Sequence, residues 1–121
     1  MNCPAADELQ DALRPITSLI IKSEKAQQKM TSQTWQYRML QNNLNALRHA
    51  CALMNQDKNT ADYFTREDSR ESLNALASMI SKTEKAQEKF SPGTSQHTLL
   101  RNRLNALRLA EALIKKEYDK D

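Results

Sequence analysis

The chain repeats itself. Shifted by sixty residues, positions 11–54 lie over positions 71–114 without a gap, and 21 of those 44 positions are identical. The best block sets LNALRHACAL (44–53) over LNALRLAEAL (104–113), and KSEKAQQK (22–29) falls over KTEKAQEK (82–89). Self-similarity at a fixed period is the mark of a repeated supersecondary unit. The chain is therefore expected to be two copies of one unit, produced by tandem duplication. One glycine (Gly93) and three prolines (Pro4, Pro15, Pro92) leave few places for a sharp turn. The remainder is rich in Ala, Leu, Gln, Glu and Lys, so the unit should be built from a few long helices with short connections.

The apolar spacing bears this out within each unit. Leu9, Leu13, Ile16, Ile20 and Met30, flanked by Ala12 and Leu19, recur at the i, i+3/i+4, i+7 spacing of an amphipathic helix running from about Asp7 to Met30. Pro15 interrupts it, which predicts either a kink or a late start with Pro15 in the first turn. TSQT (31–34) and SPGT (91–94) break the pattern, and Thr34 and Thr94 are suited to cap the helix that follows. The second helix, about Trp35 to Asn55, carries Leu40, Leu44, Leu47, Cys51 and Met54. Met39, Ala46, Ala50 and Leu53 widen that stripe to half the circumference, so this helix should touch neighbours on more than one side. After QDKNTADYF (56–64), Thr65 and Asp68 form a capping-box pattern that opens a third helix to about Phe90; the fourth runs from about Ser95 to Tyr118.

A lone αα-hairpin would leave its apolar faces in water. The two should cover one another, and the expected fold is all-α: a four-helix bundle of two duplicated αα-hairpins related by a pseudo-twofold axis. The chain is one domain over residues 1–121, with repeat 1 at about 7–55, a linker at about 56–64 and repeat 2 at about 65–118. Exchange of hairpins between chains to make a homodimer is the alternative arrangement.

Several function classes are disfavoured on composition. No stretch reaches the roughly 20 apolar residues of a membrane span, and no N-terminal signal pattern is evident, so a cytoplasmic location is expected. Cys3 and Cys51 do not make a disulfide framework; Cys51 falls at an apolar helix position. Residues 1–60 hold seven basic and five acidic side chains and residues 61–121 hold eleven and ten, so neither half of the sequence is polarised. His49 and His97 do not occupy matching positions, and no Glu-x-x-His spacing is present, so no metal, cofactor or catalytic residue is assigned.

Binding surfaces remain. Lys22, Lys25 and Lys29 share one helix face, opposite Ile16 and Ile20, and Lys82, Lys85 and Lys89 repeat the row. Each row reads either as a solvated helix face, the favoured reading, or as a contact for a polyanion or an acidic protein. Arg48 and Arg108, in the repeated LNALR, flank the apolar stripe and are expected to pair with glutamates of the neighbouring helix or to meet an acidic partner. Ser23, Gln27, Thr83 and Gln87 fall on the inward face. Their polar groups must be wet, must bond to partners such as Gln36, Gln96, Asn42 or Asn102, or must line a small pocket. Trp35 and Tyr37 have Ser95 and His97 as their counterparts, so aromatic residues mark one unit only: local packing or a contact hot spot. The functional expectation is a non-catalytic helical module for binding another protein, possible self-association included. The alternative is a nucleic-acid binder using the lysine rows.

Overall fold

The computed structural model describes residues 6–55 and 64–119, so Cys3 and all of the expected linker except Phe64 lie outside the described residues. Among the described residues there are four helices and no strand: α1 (Ala6–Gln28), α2 (Trp35–Met54), α3 (Arg66–Gln87) and α4 (Ser95–Asp119). None of these helices is long and apolar enough to cross a membrane.

Helix boundaries follow local chemistry. Thr34 Oγ1 accepts from Tyr37 N at 3.2 Å, and Thr94 Oγ1 accepts from His97 N at 3.2 Å, satisfying a first-turn donor of α2 and of α4. Thr65 and Asp68 form a full capping box: Thr65 N donates to Asp68 Oδ2 at 2.8 Å, and Asp68 N donates to Thr65 Oγ1 at 3.0 Å. α1 and α3 end two or three residues earlier than their apolar patterns suggest. The cause is the same at both ends. Lys29 N and Lys89 N bond to carbonyls three residues back, Ala26 and Ala86, at 3.2 Å, and Met30 and Phe90 do likewise with Gln27 and Gln87. These tighter turns satisfy the last carbonyls and stop the helix. Gly93 then turns the chain at φ +93°, in the left-handed region that glycine alone enters without a steric penalty.

Pro15 does not start α1. It stands half-buried well inside a helix that begins at Ala6, so the late-start expectation is corrected. Its missing N–H leaves the Asp11 carbonyl without the usual helical donor.

The helices pack antiparallel in sequence order, with α1 also against α4. α2 and α4 touch across the bundle, whereas α1 and α3 share no contact among the described residues. This is what the wide apolar faces of α2 and α4 predict. Ala46, Ala50, Ala106 and Ala110 are buried and small, which lets these two helices approach. Around them Ile16, Leu47, Leu76, Leu107 and Ile114 are fully buried in one core. Each such side chain contributes roughly 1.5–3 kcal/mol by leaving water. Arg66, with its guanidinium carbon 4.4 Å from the Tyr118 ring centre, ties the start of α3 to the end of α4.

Candidate functional site

The antiparallel packing puts both hairpin turns at one end. Lys82 Nζ lies 3.4 Å from Met39 Sδ, and His49 Nδ1 lies 3.2 Å from Ser72 Oγ, so the start of α2 runs beside the finish of α3. Residues 29–34 and 88–94 therefore share an end, which we call the turn end.

Charge is sorted along this axis. Among the described residues, the turn half (18–44 and 77–106) holds nine Lys/Arg and three Asp/Glu, a net of +6. The opposite half (7–17, 45–55, 64–76 and 107–119) holds seven and nine, a net of −2. All six row lysines, Lys22, Lys25, Lys29, Lys82, Lys85 and Lys89, are exposed in the turn half. The rows themselves stand apart, because α1 and α3 occupy opposite corners of the bundle. Arg38, Arg101 and Arg103 add to the positive end, and burial pushes Arg103 below its usual pKa.

Arg48 bonds Glu24 at 2.6 Å and Arg108 bonds Glu84 at 2.5 Å, each across its own hairpin. All four side chains are about half exposed, so each pair is worth under about 1 kcal/mol. The pairs occupy two of the three carboxylates of the turn half.

Gln27 and Gln87 are half-buried, and their partners differ from those expected. Gln27 Nε2 donates to Gln41 Oε1 at 2.9 Å and to the Tyr37 carbonyl at 3.4 Å. Gln87 Nε2 donates to the His97 carbonyl at 3.3 Å. Gln36, Gln96, Asn42 and Asn102 are all exposed apart from these contacts; the glutamines instead tie α1 and α3 to the first two turns of the next helix. Gln87 also lines an open cleft with Arg101 and Arg108. Thr83 is buried and donates to the Met79 carbonyl at 2.7 Å. No buried side-chain nitrogen or oxygen among the described residues lacks a partner.

Among the described residues four large apolar side chains stay exposed: Trp35 at 68 %, Leu99 at 56 %, Ile21 at 46 % and Phe90 at 38 %. All four belong to the turn half. Trp35 stands at the mouth of a groove between α2 and α3, where a cavity of about 540 Å³ is lined by Arg38, Met39, Asn43 and Ser78. A second cavity of about 270 Å³ continues it toward Phe64 and Asp68; the two share Asn42 and Glu71.

His49 is the residue that sequence reasoning undervalued. It is 1 % exposed, bonded to Ser72, with the Phe64 ring stacked on it at 4.0 Å between centres and 9° between planes. Burial lowers its pKa from 6.5, while the carboxylates of Asp68 and Glu117 pull the other way. The signal was present in the sequence: position 49 corresponds to Leu109 at the sixty-residue offset. Among the described residues, no three His, Cys, Asp or Glu side chains gather as metal ligands.

No protein-family model, curated protein or solved structure matches the chain.

Proposed function

We propose that the chain is a non-catalytic helical module that binds another protein through its turn half. One observation carries this reading: the exposed large hydrophobics and the positive excess occupy the same half of the bundle. Single exposed apolar residues are ordinary. Four of them beside a net charge of +6 make a surface suited to an acidic, partly apolar partner. The test is capture with the tagged full-length chain from lysate of its own host, with a nuclease-treated sample in parallel. A protein retained after nuclease treatment supports the reading, and loss of every captured protein on digestion overturns it. Sedimentation velocity then tells whether that partner is a second copy.

The positive turn half also favours a second reading, nucleic-acid binding. Phosphate contacts on duplex DNA lose roughly 0.9 log units of affinity per log unit of salt for each charge neutralised. A duplex that shows no gel shift at low salt ends this reading. The separation of the lysine rows on opposite corners already counts against one duplex engaging both.

The proposal extends to origin and place. The two hairpins descend from a tandem duplication and are related by a pseudo-twofold axis. Support comes from the sequence identity and from paired interactions: Arg48–Glu24 with Arg108–Glu84, and Thr34–Tyr37 with Thr94–His97. The free, half-buried thiol of Cys51 suits a reducing, cytoplasmic setting.

A further inference from the structure

We infer that the groove between α2 and α3, from Trp35 to Phe64, is the docking site for an amphipathic helical segment of a partner protein that carries its carboxylates at the Trp35 end. The inference rests on the protein-binding reading above and gives it a location and a partner chemistry.

The groove is long. Its two cavities share Asn42 and Glu71, so they form one channel. Along α2 it extends from Trp35 to beside Arg48, about 20 Å at 1.5 Å per residue, room for roughly four helical turns. On the α3 side Ala75 and Ser78 are small, which leaves depth for another helix to settle. Asn42, Asn43 and Asn74 offer amide donors and acceptors along its course.

The groove is also charged in order. At the Trp35 end stand Arg38 and Lys82. Neither is bonded to a carboxylate among the described residues, and the Lys82 ammonium rests on the Met39 thioether. At the Phe64 end stands Asp68, with Glu71 where the two cavities meet; Arg48 at that end is already bonded to Glu24, and Arg70, which lines the Trp35-end cavity, to Glu67. A helix with acidic side chains in its first turns and basic ones in its last matches both ends, and it matches its own dipole too. A phosphate backbone would meet the Asp68 and Glu71 charges, and a flat lipid surface cannot enter a concave channel.

The other side of the bundle supplies a comparison. The groove between α1 and α4 has a cavity of about 780 Å³, yet the positions matching Trp35 and Arg38 are Ser95 and Thr98. The aromatic anchor and its cation occur in one groove only. Tryptophan and arginine are the residues that most often dominate binding energy.

Trp35 is the single tryptophan of the chain, so its emission reports the site directly. The probe is a synthetic helical peptide of about fifteen residues with a leucine stripe, Glu in its first two turns and Lys in its last two. A peptide with the charge order reversed and a short DNA duplex are the comparison arms. The expected result is a saturable blue shift with the Glu-first peptide alone. With the peptide labelled and its anisotropy followed, Trp35→Ser and Arg38→Glu should each weaken binding by about tenfold or more, while Thr17→Ala, at an exposed position of α1 outside the turn half, should leave it unchanged. Circular dichroism melts confirm that the variants fold. The inference is overturned by absence of saturable binding, by equal binding of the reversed peptide, by an equal shift with DNA, or by indifference to Arg38→Glu. If a partner captured from lysate still binds Trp35→Ser/Arg38→Glu, the groove is wrong while the protein-binding reading stands.

Discussion

His49 shows how much one buried side chain can fix. Its imidazole is neutral in the fold because burial opposes the charged form, more strongly than Asp68 and Glu117 favour it. The folded pKa therefore lies below 6.5, and the unfolded chain binds a proton first as pH falls. Stability contributed by the neutral ring is complete above about 6.5 and is lost as pH drops toward the folded value. Thermal melts should shift downward across that window. His49→Leu/Ser72→Ala, which restores the side chain found at position 109 and removes the hydroxyl it would strand, should flatten the dependence there; an unchanged slope would exclude His49 as its source. Gly93 makes a different demand. Nothing lies within 4 Å of where a Cβ would sit, so the requirement is conformational and not spatial. Gly93→Ala should cost about 1–2 kcal/mol through the left-handed backbone alone, read as a lower urea midpoint with an unchanged m-value.

Among the elements, the helices were largely legible in sequence because their signals are local. Apolar spacing, the threonine caps and the capping box each act within a few residues. Thr65→Ala should remove one half of the box at the start of α3 and cost about 1 kcal/mol; chemical denaturation of that single variant checks it. Less was legible where a partner comes from another element. Periodicity turned Gln27 and Gln87 inward but could not show that backbone carbonyls of Tyr37 and His97 would meet them. Phe64 lies just before the third helix, and nothing in its own spacing places it on the His49 ring. The late start at Pro15 failed for the opposite reason: a local rule for proline in the first turn yielded to the packing of the whole of α1 around Ile16.

At the scale of the molecule, the charge distribution depends on folding. Halving the sequence at residue 60 gives two nearly balanced sets, whereas the bundle sorts the same side chains end from end because its antiparallel helices bring both hairpin turns to one end. The candidate groove was hidden for the same reason, since α2 and α3 belong to different hairpins and only the unmatched Trp35 hinted at it. The core, too, is shared between hairpins: Ile16 and Leu47 from one bury with Leu76, Leu107 and Ile114 from the other. Either hairpin expressed alone should fail to melt cooperatively as a monomer. A sharp, concentration-independent transition by circular dichroism would refute that dependence.

The contact between α2 and α4 gives the bundle a rhombic cross-section, with its short diagonal set by the methyl groups of Ala46, Ala50, Ala106 and Ala110. Lengthening that diagonal would square the cross-section and alter the width of both lateral channels together. Ala50→Leu should therefore cost about 1–3 kcal/mol of stability through overpacking. It should also change the emission of Trp35, a side chain it does not touch. Four alanines in the interior thus act as the gauge that sets how wide the outer surface opens.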